Sequence, residues 1–258
     1  MTKYTPIKIC DAKSSLFESI LYYSTVSSTN VLAKQVSTCS RAPRVVVAQT
    51  QQKGRGRFQR TWHSPPGGLY VSFLVYPPVK PTMLTLVPLL SSLAVVSTLK
   101  QFELDALIKW PNDVLINDKK IAGILLESSV QQEKVEYVIA GIGLNVNLTE
   151  QQLPADVSAT SMKLALQQSI DLDSVLQILI QEFELVYNQF VSDQHTQVLN
   201  SYKQYCDTIG KQVEIDRKPN HLVGVAVDID HQGFLLVKTP TGIVHTVHSG
   251  DCFVISDI

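Results

Sequence analysis

Residues 109–127 read KWPNDVLINDKKIAGILLE, two short apolar runs on either side of Asn117-Asp118. Asn and Asp tolerate the positive φ that a two-residue hairpin turn requires, so 114–116 and 121–127 are expected as antiparallel strands around that pair. Working outward, 106–109 and 136–140 add two more short β runs. Upstream, RVVVA at 44–48 and LYVSFLVY at 69–76 are rich in β-branched and aromatic residues, and Pro77-Pro78 stops the second. The apolar stretch 83–99 is too long for an ordinary strand and is expected as a buried helix. Ser27-Ser28-Thr29-Asn30 supplies N-cap candidates for a short helix over about 30–38, with Val31, Leu32 and Val36 on one face. Asp171 opens the clearest helix, where Leu172, Val175, Leu176, Leu179, Ile180, Phe183, Tyr187 and Phe190 recur at spacings of three and four. After Gly210 the texture changes to short β runs (KQVEI, HLVGVAVDI, GFLLVKT, GIVHTVH, CFVIS) with turns at 230–233 and 241–242, the pattern of a small β-barrel. The chain therefore reads as an α+β domain over 1–205 followed by a β domain over 206–258.

Composition sets the outer bounds. The 258 residues are 45% hydrophobic with a net charge of −1, as expected of a soluble globular protein able to bury a core without disulfides. Four scattered cysteines, Cys10, Cys39, Cys206 and Cys252, include no CxxC pair, which excludes a disulfide scaffold and a cysteine-rich zinc site. The N-terminus has no signal-like apolar core, and 83–99 is interrupted by Pro88 and several Ser and Thr, so neither secretion nor membrane spanning is supported. The near-neutral total hides an asymmetry: 19–102 holds nine basic residues and no acidic one, leaving 13 basic and 23 acidic residues elsewhere. Four of the nine lie within 53–60. A concentrated basic segment in a neutral chain points to a local anionic ligand rather than to a nucleic-acid-coating face.

Three stretches carry candidate chemistry. In QTQQKGRGRFQRTW (49–62), Gly54 and Gly56 alternate with Arg55 and Arg57, whose guanidiniums match phosphate or carboxylate oxygens. That pattern fits an anion-binding lid, a solvated surface loop, or an RGG-like RNA-binding segment. In the stretch 109–127, Asn112 and Asp113 interrupt an apolar pattern and need a partner, which a ligand, a metal or an Asx-turn would supply. Lys120 stands beside the hairpin, either solvated or directed into a site. In GIGLNVN (141–147), glycines permit close approach and Asn side chains can read a base or ribose, although tight turns use the same residues.

Taken together and in order, SSTN (27–30), QQKGRGR (51–57), Trp62, KWPNDVLI (109–116), KKIAGILLE (119–127) and GIGLNVN (141–147) resemble the biotin protein ligases. The resemblance extends from about residue 20 to the C-terminus. It implies a mixed sheet flanked by helices, related to class II aminoacyl-tRNA synthetases, with a small C-terminal SH3-like β-barrel. It further implies that biotin and Mg-ATP give biotinyl-5′-AMP and pyrophosphate, after which a lysine of a biotin carboxyl carrier domain takes the biotin and AMP leaves. By that match, Ser28, Thr29, Asn30, Gln51, Gly54, Arg55, Lys120, Gly123 and Gly141 would bind biotin, Gly123 and Gly141 along the valeryl tail. Arg57, Arg60, Trp62, Asn112, Asp113 and Asn145 would meet the nucleotide, with Asp113 on magnesium. Lys120, Arg57 and Arg55 would be the catalytic cations. After GRGR this chain has Phe58-Gln59-Arg60 where the family often has a glycine-containing run. No matched aromatic follows residue 147 to stack on adenine, and 155–162 is the candidate lid there.

Only 26 residues precede Ser27, too few for the DNA-binding domain that many bacterial members carry, so a monofunctional ligase is expected, with no DNA or membrane partner. A cytoplasmic location follows, and many members dimerise through the catalytic sheet. Residues 52–62 are expected to move without ligand and to order with biotin or its adenylate. The rival readings are a lipoate or octanoate ligase or transferase of related fold, and a noncatalytic biotin- or RNA-binding module.

Overall fold

The computed structural model describes residues 5–217 and 220–255. Eight strands form one sheet: β1 (Lys8–Cys10), β2 (Ser19–Val26), β3 (Arg44–Gln51), β4 (Leu69–Val75), β5 (Leu107–Lys109), β6 (Asp113–Ile116), β7 (Lys119–Gln131) and β8 (Lys134–Leu144). Their spatial order is β1-β2-β3-β4-β8-β7-β6-β5. Helix α1 (Thr29–Cys39) carries the chain from β2 to β3, which therefore pair in parallel; all other neighbours are antiparallel. Asn117 and Asp118 both adopt positive φ, 48° and 60°, and turn β6 into β7 as the hairpin reading requires.

Two apolar layers fix the sheet. On one face α1 buries Leu32, Ala33 and Val36 against Leu21, Tyr23, Val46, Ala48, Leu74 and Ile139. On the other, α2 (Val87–Lys100) and α4 (Leu172–Val191) form the main core, with Phe73 of β4 stacked on Phe183 of α4 at 4.2 Å between ring centroids. Asp171 caps α4 by accepting from the Ser174 N–H at 2.9 Å, as its sequence predicts. Helix α2 starts four residues later than its hydrophobic run: 81–86 is a 3-10 turn, because Pro88 lacks an N–H and fits only the first helical turn. Ser91, Ser92 and Thr98 are tolerated in this buried helix by donating to the carbonyls of Val87, Pro88 and Ala94. Segment 81–100 is long and apolar enough to cross a membrane, but here most of it is covered by the core.

Sequence reading did not find β1, β2, α3 (Met162–Leu166) or α5 (His195–Tyr205). Helix α5 buries only Val198, Leu199 and Tyr202, too thin a stripe to stand out from its polar neighbours. The C-terminal strands β9 (Gln212–Arg217), β10 (Asn220–Ile229), β11 (Leu235–Lys238), β12 (Val244–Val247) and β13 (Asp251–Val254) form an antiparallel sheet in the order β12-β11-β10-β9-β13. Both expected turns are present, with Asp230 Oδ1 accepting from the N–H groups of Gln232 and Phe234, and Gly242 at φ 86°. Ser256, the last residue of the predicted run CFVIS, lies outside the described residues.

The small β domain is docked on the segment that leads into the KWPND stretch. Trp110 donates its indole N–H to the Gly233 carbonyl at 3.0 Å and its backbone N–H to Thr208 Oγ1 at 2.9 Å. Thr85 Oγ1 donates to the Gln232 carbonyl at 2.6 Å, and Lys203 of α5 pairs with Asp228 of β10 at 2.6 Å.

Candidate active site

A cleft of about 640 Å³ opens at one end of the large sheet. It is bounded by the N-terminus of α1, the loop after β3, the β6–β7 arm, β8 and the segment 148–159, with Asp251 reaching in from the small β domain. The predicted residues Ser28, Thr29, Asn30, Gln51, Arg55, Arg57, Arg60, Trp62, Asn112, Asp113, Lys120, Gly123, Gly141 and Asn145 all line it. Four distant segments of chain thus meet in one place. Gly54 is buried behind this lining: a Cβ there would strike the Trp62 carbonyl and come within 2.6 Å of Ser64 Oγ.

The end beneath α1 is uncharged and closed by hydrogen bonds. Thr29 donates its N–H to Gln51 Oε1 at 2.8 Å, and Gln51 Nε2 donates to Ser64 Oγ at 2.9 Å. Ser64 Oγ in turn donates to the Trp62 carbonyl at 2.9 Å. Asn30 Nδ2 donates to the Leu125 carbonyl at 3.3 Å, while its Oδ1 accepts from Ser72 Oγ at 2.7 Å. Gly141 pairs in register with Ser72 across β4 and β8, and a Cβ at 141 would collide with the Asn30 amide. The glycine leaves room for Asn30 as well as lining the cleft.

The opposite end gathers cations, and each has a partner. Lys120 Nζ lies 2.6 Å from Asp113 Oδ1 and 5.4 Å from the centre of the Trp62 ring. Arg55 pairs with Glu127 at 2.7 Å, Arg60 with Asp251, and Arg57 donates to Asn112 Oδ1 at 3.1 Å. Asn112 Nδ2 donates to the Ile124 carbonyl at 2.9 Å. Asn112 is therefore satisfied by Arg57 of the loop after β3 and Asp113 by Lys120 of the adjacent strand β7, not by an Asx-turn. Burial lowers the Arg57 pKa while Asp251 and Asp113 pull it back up. An arginine remains a cation under such opposing influences.

Two readings need correction, those of Lys120 and of the basic segment, and Asn145 gains a bracing role. Lys120 lies within β7, held by backbone bonds to Ser158 and Thr160, rather than just before the strand. Asn145 donates its Nδ2 to the Thr160 carbonyl at 2.9 Å, so that amide nitrogen braces the segment 156–161 behind Lys120. The basic excess of 19–102 is not reserved for a ligand: Arg41, Arg44, Arg55 and Arg60 meet Glu136, Glu18, Glu127 and Asp251, all from outside that segment.

Phe58 and Gln59 sit at φ 52° and 60°, left-handed positions that glycine adopts more readily than they do. The guanidiniums of Arg57 and Arg60 lie 4.9 and 6.0 Å from the Phe58 ring centre. The departure from a glycine-containing run thus keeps the glycine-like backbone and adds an aromatic surface.

Sequence reading missed Ser72, Ser64, Glu127 and Asp251, and it left the wall formed by Leu148, Leu153, Pro154, Val157 and Ala159 with only 155–162 named. Ser72 had a signal: it is the one polar residue in the fully buried strand LYVSFLV. Glu127 and Asp251 had none, since nothing local distinguishes a carboxylate that will meet an arginine more than 70 residues away. Among the described residues no group of three or more His, Cys, Asp or Glu is placed to hold a metal.

This architecture places the chain in the class of biotin and lipoate ligases: residues 22–145 match the Biotin/lipoate A/B protein ligase family, and 208–254 match the Biotin protein ligase C terminal domain. It is 33% identical over 240 residues to the bifunctional ligase/repressor BirA of Bacillus subtilis, covering 91% of this chain and 73% of that protein. Identity to the biotin--[acetyl-CoA-carboxylase] ligase of Paracoccus denitrificans is 28% over 221 residues, covering 83% of this chain and 92% of that one. The biotin protein ligase of Aquifex aeolicus in complex with biotin and ATP superposes with a TM-score of 0.78 at 26% identity, covering 92% and 99% of the two chains. The chain belongs to the biotin protein ligase family.

Proposed function

We propose that this protein joins biotin to ATP, forming biotinyl-5′-AMP and pyrophosphate, and then passes the biotin to a lysine of a biotin carboxyl carrier domain with release of AMP. The observation that carries this reading is the polarity of the cleft. An uncharged hydrogen-bonding end of Thr29, Asn30, Gln51 and Ser64 suits a ureido head, and a cationic end of Arg55, Arg57 and Lys120 suits a carboxylate facing a phosphate. A dithiolane, the head of lipoate, would leave the polar end without partners, at the cost of buried unsatisfied groups.

In the first step the biotin carboxylate attacks the α-phosphorus and pyrophosphate leaves. Two anions must approach, so cations that meet the developing charge lower the barrier. Lys120 would leave Asp113 for the carboxylate and α-phosphate oxygens, and Arg57 would leave Asn112 for the phosphate. Gly54 would let the loop close over the biotin, with Arg55 between its head and the cationic end, Ser28 beside Thr29 at the polar end, and Gly123 and Gly141 along the valeryl chain. Arg60, Trp62 and Asn145 would flank the nucleotide. In the second step the neutral carrier amine attacks the acyl carbon, AMP departs and the amide nitrogen loses a proton; the enzyme's task is alignment.

Magnesium commonly keeps most of its waters and takes one or two carboxylates with substrate phosphates. Asp113, once Lys120 turns to the substrate, would offer one such carboxylate at the phosphate end, and the ion would supply charge neutralisation of the phosphates.

We further divide the chain into a catalytic unit over 1–205 and a C-terminal unit over 206–258, and place the protein in the cytoplasm with a carrier protein rather than DNA or a membrane as its macromolecular partner. Near-neutral net charge and the pairing of loop arginines with carboxylates support that choice. A homodimer built on the large sheet belongs to the same reading. The test is incubation with ATP, an apo carrier domain and either biotin or lipoate, with pyrophosphate exchange followed in parallel. Biotin-dependent exchange and biotin transfer are expected; transfer of lipoate alone would overturn the assignment.

A further inference from the structure

Ser72 lies at the middle of β4, wholly buried, with its hydroxyl 2.7 Å from Asn30 Oδ1 and 2.8 Å from Thr29 Oγ1. A hydroxyl has one proton, so only one of these contacts can be a bond that Ser72 donates. The neighbours decide which. Asn30 Nδ2 faces the Leu125 carbonyl, which can only accept, and this fixes the orientation of the Asn30 amide. Asn30 Oδ1 must then accept, and Ser72 must donate to it. Ser72 consequently accepts the proton of Thr29 Oγ1.

That assignment propagates into the cleft. With its only proton committed to Ser72, Thr29 Oγ1 has none for Gln51 Oε1, 3.2 Å away, which already receives the Thr29 N–H. Thr29 Oγ1 presents lone pairs only. Gln51 Nε2 uses one hydrogen on Ser64 and keeps the second. The uncharged end of the cleft thus offers one obligate acceptor beside one donor, the complement of an amide or urea that brings an N–H and a C=O side by side.

We propose that Ser72, which cannot touch the ligand, is the specificity-determining positioning residue of this pocket, setting the direction of the Thr29 hydroxyl so that it accepts from a ureido N–H. The inference rests on the assignment of this cleft to biotin. Replacing Ser72 by a residue without a proton frees the Thr29 hydrogen, lets the hydroxyl turn, and removes the preference for a donor.

Calorimetry on the full chain tests this with biotin and with its two cyclic carbamate analogues, in which a ring oxygen replaces one or the other ureido N–H without added bulk. The wild-type protein should bind biotin about 10- to 100-fold more tightly than one of the carbamates, the difference expected for an acceptor left facing an acceptor. In Ser72→Ala that ratio should fall by about tenfold, because the freed Thr29 hydrogen can now serve the ring oxygen. Thr29→Val, which keeps the volume and loses the oxygen, should show the same collapse. Ser72→Cys, which keeps the side chain's shape with a weaker donor, should lower the ratio part of the way and serves where Ser72→Ala does not fold. An equal loss of affinity for all three ligands, with the ratio retained, would overturn the role of Ser72 and leave the biotin assignment standing. Failure of the wild-type protein to bind biotin would overturn both.

Discussion

The two ends of the cleft are built on different physical terms. Beneath α1 the polar groups are neutral, buried and bound to one another in a directed chain, so they need little rearrangement to receive a ligand. Thirty or more residues of sequence separate most partners at the other end, and there each cation rests against a partially exposed acid or amide. Lys120–Asp113 is largely buried, 25% exposed on each side, but the more exposed pairs Arg55–Glu127 and Arg60–Asp251 contribute about 0–1 kcal/mol each. A phosphate can therefore displace them at small cost, whereas breaking the neutral chain leaves a buried group unsatisfied, at about 1–3 kcal/mol. One end selects by fixed geometry, and the other waits for charge.

Substitutions at the cationic end should expose that contrast most strongly. Lys120→Ala should slow adenylate formation by about 10²–10³-fold, the scale for removing a group that meets developing charge, while biotin binding alone changes far less. Pyrophosphate exchange that survives the substitution would refute the role. Arg57→Ala should weaken retention of the adenylate by about 10- to 100-fold, as expected for a lost charge-assisted bond, and affect biotin alone only slightly. Calorimetry with each ligand checks the difference.

The brace behind the cationic end is the next largest effect. Trp110→Phe removes the N–H that reaches the Gly233 carbonyl, and a melting curve should show Tm lowered by about 2–8 °C. No change would mean that water replaces the bond without loss. Smallest is Arg60→Ala, which frees the loop from Asp251; the exposed pair should cost under about 1 kcal/mol in urea unfolding. Limited proteolysis within 52–62 should nevertheless quicken in the free enzyme and slow again with biotin and ATP. Equal cleavage with and without ligand would remove the ordering of this loop from the mechanism.

Much of the fold was readable because its signals are local. The Asn117-Asp118 turn, the Asp171 cap, the length of 83–99 and the alternating C-terminal runs each depend on a few adjacent residues. Helix α5 escaped because its three buried apolar residues sit in a polar stretch, and strand β2 because its burial does not alternate. The site residues were found as motifs, but their partners were not. Asn112 was expected to need a ligand, a metal or a turn, and its partner is Arg57; Ser72 stood as an ordinary strand position, and its partner is Asn30.

The sequence by itself determined the inventory of this protein: a basic glycine-bearing loop, a lysine beside a hairpin, a polar N-cap run, a small β domain and the ordered motifs that point to one family. Tertiary structure alone decided what each group faces. It set Glu127 and Asp251 against Arg55 and Arg60, and Glu18 and Glu136 against Arg44 and Arg41, so that four of the segment's nine cations are answered from elsewhere in the chain. The reason is that Coulombic and hydrogen-bond partners are chosen by distance through space, over a few ångströms, and separation along the chain carries no information about that distance until the sheet has brought the segments together.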